Sequence, residues 1–201
     1  MTPSTRASAL VLGPPGSGKS TIAARLADRL DARPIDVGEL LRAAAAEDSP
    51  RGRALRAAMS AGALVPDAEA DRAVRERLAR LPRDAGFVLV GYPRTPGQAK
   101  RLRDTLAELG RLDPPPPAFR LDVERDELLR RLDRRGETER RSDDAVATRE
   151  RRLAGDAARE PAVLDALRRW TDVVDVDAGD SPAAITDRIA GELARRQTPD
   201  G

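Results

Sequence analysis

Short apolar runs alternate with longer amphipathic stretches along the chain. Four runs are rich in aliphatic or β-branched residues and have the length of strands that are buried on both faces. These runs lie at residues 9–12, 86–90, 118–123 and 172–176, and a weaker fifth lies near residues 34–37. The pattern therefore predicts five buried strands.

Between the apolar runs, apolar positions recur at helical spacing. The predicted helices cover residues 19–30, 39–47, 51–61, 68–81, 96–109, 125–135, 145–169 and 182–195. Strands that alternate with helices favour parallel pairing through right-handed crossovers, which gives a three-layer α/β fold. In such sheets the ligand binds at the carboxyl ends of the strands. The loop that follows the first strand lies at such an end.

That loop, GPPGSGKS at residues 13–20, fits the phosphate-binding pattern G-x-x-x-x-G-K-[ST] of a P-loop. Its glycines let backbone N–H groups turn toward a polyphosphate, and the following helix adds the positive end of its dipole. Lys19 is expected to reach the outer phosphates, and the Ser20 hydroxyl is placed to ligate Mg²⁺. Lys19 and Lys100 are the only lysines among 36 basic residues, so a lysine stands where a compact, flexible charge is needed. The predicted triphosphate site comprises Gly13, Pro15, Gly16, Ser17, Gly18, Lys19, Ser20 and Thr21.

Composition restricts the chemistry that is open to this chain. Its 201 residues are enough for one domain with a substantial core, and that core must be aliphatic because aromatic residues make up only 2%. The chain has no cysteine and no histidine, which excludes a thiol nucleophile, Cys-ligated zinc and the usual general base. Phosphoryl transfer suits the remaining side chains, because its catalysis is mostly positioning and charge neutralisation.

The charges of the chain nearly balance. There are 36 basic and 34 acidic residues, which leave a net charge of +2, and no arginine-rich block stands free of interleaved acids. Nucleic-acid binding is therefore not expected. Because no signal peptide, lipidation motif or long apolar span is visible, we expect a cytoplasmic protein that does not bind membranes.

Two further segments carry candidate chemistry. The segment 90–98, VGYPRTPGQ, follows a predicted strand, so Arg94 is expected where strand ends meet the ligand. Gln98 follows on the first turn of the next helix, and its carboxamide has the donors and acceptor to pair with the edge of a base. The segment 135–144, RGETERRSDD, is predicted to be a short loop that carries cations and two adjacent carboxylates between two helices.

With these segments in this order, the chain resembles the adenylate kinase (nucleoside monophosphate kinase) family. The resemblance runs in register from about residue 9 to residue 176 and includes GPPGSGKST, GELLR (38–42), GALVPD (62–67), GYPRTPGQ (91–98) and GETERRSDD (136–144). It implies a core with five parallel strands and ATP·Mg²⁺ as the phosphoryl donor. The implied divisions are a core of residues 6–36, 68–135 and 145–196, a helical monophosphate-binding insertion at about 37–67 and a lid at about 136–144.

The resemblance also implies roles for individual residues. Arg42 and Arg94 look like the arginines that hold the acceptor monophosphate, and Gln98 looks like the residue that reads adenine. The implied acceptor site comprises Gly38, Arg42, Val65, Gly91, Arg94 and Gln98. The implied catalytic residues are Lys19, Arg94, Arg131, Arg135, Arg141, Arg152, Asp143 and Asp144, of which Arg131 and Arg135 also contact ATP. The lid resembles the short type without zinc, and the family expectation is a monomer.

Two positions depart from the family pattern in ways that bear on chemistry. Val90 stands where the family has an aspartate that helps to hold the water shell of Mg²⁺, and Ser20 stands where the family usually has glycine. We hypothesise that Ser20 partly replaces the lost carboxylate as a metal ligand. Val37 stands where the family has a threonine that contacts the acceptor nucleotide, and Asp36 and Glu39 replace a serine and an aspartate nearby.

Three functions are compatible with the sequence. The leading hypothesis is transfer of the γ-phosphoryl group of ATP·Mg²⁺ to a nucleoside monophosphate, AMP first, because Gln98 favours adenine. A second is phosphorylation of another phosphate or phosphonate acceptor in specialised metabolism, since Val37 and Val90 break the family pattern. A third is a nucleotide-binding regulatory protein with little turnover. The intact Lys19, Arg94 and lid arginines argue against the third.

Overall fold

A computed structural model describes residues 7–138 and 146–197, and its described part contains a five-stranded sheet in the order β2-β3-β1-β4-β5. All four strand pairings are parallel. The strands are β1 (Ala9–Leu12), β2 (Arg33–Asp36), β3 (Phe87–Val90), β4 (Ala118–Asp122) and β5 (Val173–Asp177). The five predicted parallel strands are therefore confirmed.

Helices connect the strands as the alternating pattern predicts. They are α1 (Lys19–Arg29), α2 (Val37–Ala46), α3 (Pro50–Ser60), α4 (Asp67–Ala79), α5 (Pro96–Glu108), α6 (Arg125–Thr138), α7 (Val146–Arg168) and α8 (Pro182–Gln197). Within residues 7–138 and 146–197, no helix combines the length and the apolar character that a membrane crossing requires.

The hydrophobic core forms two layers, one on each face of the sheet. Alternate residues of each strand point to opposite faces, so Leu10 and Leu89 belong to one buried cluster and Val11 and Val88 to the other. Helices α2, α3, α4, α5 and α7 contribute to the first cluster, and α1 and α8 contribute to the second. Because both faces are covered, the central strands β1 and β3 carry continuous apolar runs instead of alternating ones. The edge strands β2 and β5 are only partly buried.

Some element boundaries differ from those that the sequence predicts. Val37 was expected at the end of the second strand, but it is the first residue of α2. The reason is a helix cap: the side chain of Asp36 accepts a hydrogen bond from the Glu39 N–H at 3.1 Å, and the helix begins at Val37, two residues before its predicted start. Helix α6 continues to Thr138, beyond its predicted end at residue 135, and residues 139–145 lie outside the described part of the chain.

The register of the sheet brings three loops to one edge. Val11 of β1 pairs with Val90 of β3, and Asp36 of β2 pairs with the same Val90. The phosphate loop after β1, the start of α2 and the turn after β3 therefore leave the sheet side by side. This edge is where the carboxyl ends of parallel strands meet, and it is the expected place for a ligand.

Candidate active site

The phosphate loop turns back on itself before α1. Gly18 is the N-cap residue of α1, with φ +82°, and it has no side chain that could satisfy the first N–H groups of the helix. The Lys19 ammonium group lies across the loop and donates to the carbonyl of Pro14 at 2.9 Å. Ser17 is fully buried, and its hydroxyl has no hydrogen-bond partner among the described residues. The loop therefore gathers backbone and side-chain donors in one place, as an anion site requires.

Helix α6 packs closely against the phosphate loop at Gly16. A Cβ atom added at Gly16 would lie 2.9 Å from Leu132 Cγ and 3.0 Å from the carbonyl oxygen of Leu128. Leu132 is 1% exposed, so it has little room to move aside. Gly16 also has φ +85°, a conformation that L-residues rarely adopt. Only glycine fits at this point of the loop.

The loop forms one wall of a cavity of about 390 Å³ at the carboxyl edge of the sheet. Other walls come from the first turn of α2, the turn after β3, the end of β4 and one side of α7. Of the residues that the sequence singles out, the cavity is lined by Gly13, Pro15, Lys19, Ser20, Asp36, Gly38, Arg42, Val90, Gly91 and Arg94. The structure therefore brings the predicted donor loop and the predicted acceptor arginines to one cavity.

Arg94 is held by a carboxylate on the opposite wall. Its Nη2 donates to both oxygens of Asp156, at 2.6 and 2.5 Å, and Arg159 Nη2 donates to Asp156 Oδ1 at 2.7 Å. Burial alone would raise the pKa of Asp156, but the charges and hydrogen bonds of the two arginines outweigh it, so the pKa lies below its usual value. Asp156 is therefore ionised, and it forms an ion pair with the Arg94 guanidinium in this structure.

Arg42 and Gly38 lie close together on the first turns of α2. A Cβ atom added at Gly38 would lie 3.1 Å from Arg42 Nη1 and 3.0 Å from Asp36 Oδ1. The Arg42 guanidinium therefore packs across the bare backbone of Gly38 and reaches the cavity wall. This close approach explains why a glycine precedes Arg42 by one helical turn.

Gln98 lies behind the cavity wall and is 1% exposed. Its Nε2 donates to Asp67 Oδ1 at 2.9 Å, and its Oε1 accepts from the backbone N–H of Arg94 at 2.6 Å. A contact with adenine requires an exchange of these bonds, so its base-reading role stays a prediction. Val65 is 8% exposed and packs into the core, and it does not line the cavity either.

Arg131 lies against the carboxyl end of β5 rather than on the cavity wall. Its Nε donates to Glu127 Oε1 at 2.8 Å, and its Nη2 donates to the carbonyl of Ala178 at 3.0 Å. The backbones of Arg135 and Arg152 belong to α6 and α7, but their side chains are outside the described part. Arg141, Asp143 and Asp144 lie wholly outside the described residues, so their implied roles stay predictions.

Val90 and Ser20, the two residues that depart from the family pattern near the expected metal position, differ in their exposure to solvent. Val90 is 2% exposed, and it belongs to the core cluster on one face of the sheet while also lining the cavity. Ser20 is exposed on the first turn of α1, and its hydroxyl donates to Asp36 Oδ2 at 2.6 Å. Thr21 follows it and is also exposed. Val37 is 1% exposed, so the position where the family has a hydroxyl is closed to solvent here.

Several charged residues of the cavity were not predicted from the sequence. Asp156, Arg159 and Glu160 line it from α7, and Arg120 lines it from β4. Arg120 interrupts an otherwise apolar strand, and that was the one signal for it in the sequence. It forms ion pairs with Glu160 at 3.1 Å and with Asp175 at 3.2 Å. The three α7 residues are surrounded in the sequence by many other charged residues of that helix, so no sequence signal distinguishes them.

We predict that Gly16→Ala lowers the free energy of unfolding by about 2–5 kcal/mol, because a strained φ adds to a clash with α6. Urea unfolding measures this change, and calorimetry is expected to show that the variant binds ATP much more weakly. Gly110→Ala is the matched control: its φ is +64°, but nothing lies within 4 Å of an added Cβ. That control is expected to lose only about 1–2 kcal/mol. Equal losses in the two variants would contradict a loop that rests tightly on α6.

Comparison with known proteins agrees with this geometry. The model of the adenylate kinase family matches residues 11–193. The adenylate kinase of Gemmatimonas aurantiaca is 39% identical over 189 residues, which cover 94% of this chain and 81% of the relative. The adenylate kinase of Renibacterium salmoninarum is 36% identical over 185 residues, 92% of this chain and 94% of the relative, and that of Micrococcus luteus is 40% identical over 144 residues, 72% and 69%. The chain therefore belongs to the adenylate kinase family.

Proposed function

We propose that this protein transfers the γ-phosphoryl group of ATP to AMP and so forms two molecules of ADP. One observation carries the proposal: Lys19 and Ser20 of the phosphate loop line the same cavity as Arg42 and Arg94. Two sets of phosphate-binding groups in one space suit a reaction between two nucleotides. The relatives, which are named adenylate kinases, support ATP as the donor and AMP as the acceptor.

The reaction needs no general base from the protein. An oxygen of the AMP phosphate forms a new bond to the γ-phosphorus, while the bond from that phosphorus to the β,γ-bridging oxygen breaks and ADP leaves. A phosphate monoester has a second pKa of about 6, so the attacking oxygen is already largely deprotonated at neutral pH. This chemistry agrees with a chain that contains no histidine.

The phosphate loop is proposed to bind the β- and γ-phosphates of ATP. Backbone N–H groups of the loop and of the first turn of α1 donate to the phosphate oxygens. Lys19 exchanges the Pro14 carbonyl, 2.9 Å away, for a phosphate oxygen that carries full charge. The charge that develops on the leaving oxygen is then neutralised where it forms.

Arg42 and Arg94 are proposed to hold the AMP phosphate. A guanidinium group binds two phosphate oxygens at once, which fixes both the distance and the direction of the attacking oxygen. We assign the monophosphate-binding insertion to residues 37–67, which include α2 and α3, because Arg42 projects from α2 into the cavity. Gln98 is proposed to read adenine by exchanging its protein partners for the base.

The segment 136–144 is proposed to act as a lid over the cavity. By the family resemblance, we propose that Arg131, Arg135, Arg141 and Arg152 grip the transferred phosphoryl group and that Asp143 and Asp144 are the lid carboxylates. For this role Arg131 must exchange its contacts with Glu127 and the Ala178 carbonyl. A closed lid excludes water, which would otherwise accept the phosphoryl group and weaken each charged contact.

Magnesium is the cofactor that the family implies, and Ser20 is proposed to hold it. Its hydroxyl is a hard oxygen donor that lines the cavity directly beside Lys19, which is the ligand chemistry that Mg²⁺ prefers. When bound, the ion supplies charge neutralisation at the β- and γ-phosphates. We further propose a cytoplasmic monomer that acts on free nucleotides and not on nucleic acid. Neither a phosphonate acceptor nor a regulatory role without turnover gains support from the relatives.

We predict that the purified protein, with ATP and Mg²⁺, forms ADP fastest with AMP when AMP, dAMP, CMP, UMP and GMP are offered separately. Lys19→Ala is expected to lower kcat/KM at least about 100-fold, because a donor at the transferred phosphate is lost. Lys100→Ala is the matched control, since it removes the other lysine, which is exposed on α5. Turnover of none of the five acceptors, or activity that survives Lys19→Ala, would overturn the proposed function.

We also predict that Asp156→Asn lowers the KM for AMP by about 3–10-fold at unchanged KM for ATP, because the AMP phosphate no longer displaces a carboxylate from Arg94. Steady-state kinetics with each substrate varied in turn measure both values. Asp165→Asn is the matched control, because Asp165 forms the same type of i,i+3 pair with Arg168 at 3.2 Å on the exposed surface of α7. A raised KM for AMP would instead mean that Asp156 positions Arg94 for its ligand.

A further inference from the structure

Ser20 and Asp36 lie in contact at the cavity wall, although 16 positions separate them in the chain. The Ser20 hydroxyl donates to Asp36 Oδ2 at 2.6 Å. Ser20 belongs to the first turn of α1, and Asp36 is the last residue of β2. The contact therefore links the phosphate loop to the carboxyl end of another strand.

The sheet register relates Asp36 to the missing family carboxylate. Asp36 pairs directly with Val90 between β2 and β3, and neighbouring strands lie about 4.8 Å apart. Val90 has no ligating atom and is 2% exposed. A carboxylate is therefore present at the same level of the sheet, but one strand away from the position where the family carries it.

The orientation of the Asp36 carboxylate is fixed at both oxygens. Oδ1 accepts from the Glu39 N–H at 3.1 Å and caps α2, while Oδ2 accepts from Ser20. Asparagine caps a helix as well as aspartate does, so the cap alone does not account for a charged residue here. The negative charge lies beside the hydroxyl that follows the phosphate-loop lysine.

This arrangement suits a magnesium ion bound to a nucleotide. The Ser20 proton is directed at Asp36, so the lone pairs of Ser20 Oγ remain able to bind a cation. Mg²⁺ combines one or two protein oxygens with phosphate oxygens and several retained waters. A carboxylate next to the ligand accepts hydrogen bonds from such waters and favours the charge of the ion.

We infer that Ser20 and Asp36 together form the magnesium-binding pair for ATP, in place of the carboxylate that is absent at Val90. Ser20 supplies the oxygen that contacts the ion, and Asp36 orients that hydroxyl and holds the water shell. The inference rests on the proposed function, in which ATP bound to the phosphate loop is the phosphoryl donor.

The first test is calorimetry with an ATP analogue whose β,γ-bridging oxygen is replaced by an NH group, once with Mg²⁺ and once with EDTA. The ratio of the two dissociation constants measures the coupling between metal and nucleotide. Asp36→Asn keeps the helix cap and is expected to weaken binding with Mg²⁺ by about 10–100-fold. In EDTA the same variant is expected to bind the analogue more tightly, because a negative charge beside the phosphates is gone. A misfolded site would weaken binding of the analogue both with Mg²⁺ and in EDTA.

Asp122→Asn is the matched control for charge. Asp122 ends β4 and lines the same cavity, and its side chain is 65% exposed. This variant is expected to keep the wild-type coupling ratio. The inference is overturned if Asp36→Asn keeps that ratio too, or if both variants lower it equally.

The second test asks whether Ser20 contacts the ion directly. The chain has no cysteine, so Ser20→Cys introduces the only thiol. A thiolate prefers soft metals, so this variant is expected to bind the analogue weakly with Mg²⁺ and more tightly than wild type with Cd²⁺. Ser20→Ala is expected to bind weakly with both metals. If Ser20→Cys and Ser20→Ala respond alike to Cd²⁺, Ser20 is not a ligand and the inference is wrong.

The failure of this inference is distinguishable from failure of the proposed function. If the wild type forms ADP from ATP and AMP, but Asp36→Asn retains the wild-type coupling ratio, the function stands and the magnesium pair does not. If the wild type binds the analogue neither with Mg²⁺ nor with EDTA, the function and the inference both fail.

Discussion

The parallel pairing of β3 with both β1 and β2 is the constraint on which the site depends. Parallel strands align their carboxyl ends, so the phosphate loop, Asp36 and the Arg94 turn leave the sheet at one edge. An antiparallel neighbour would send its loop to the opposite edge. Helices cover both faces of the sheet, so the loops that leave this edge surround the cavity in which these charged groups meet.

Within that cavity, the cationic side chains that are proposed to bind phosphate already donate hydrogen bonds to oxygen atoms of the protein. Lys19 donates to the Pro14 carbonyl, and Arg94 pairs with the ionised Asp156. A cation in a partly buried site is costly without a partner, so these contacts keep both side chains oriented. In the proposed complex, phosphate oxygens would replace a neutral carbonyl at Lys19 and a carboxylate at Arg94. Acceptor binding would then meet more competition than donor binding.

The sequence predicts the fold well because its signals are local. Buried strands have continuous apolar runs, and the phosphate loop has a fixed spacing. Contacts between distant residues have no such signal: Asp156 meets Arg94 only because α7 crosses the cavity, and Asp36 meets Ser20 only because β2 lies beside β3. The sequence predicts that Gln98 reads a base but gives no signal for its contacts with Asp67 and a backbone N–H, and the base-reading role stays a prediction.

The proposed function requires that one cavity hold two nucleotides for direct phosphoryl transfer. The most direct measurement is calorimetric binding of a compound that joins two adenosines through five phosphates, since it spans the donor and acceptor positions together. We expect this compound to bind at least about 100-fold more tightly than ATP, and we expect Lys19→Ala and Arg94→Ala each to remove most of this advantage. Binding no tighter than that of ATP, or insensitivity to Arg94→Ala, would show that the cavity does not hold two nucleotides in this way.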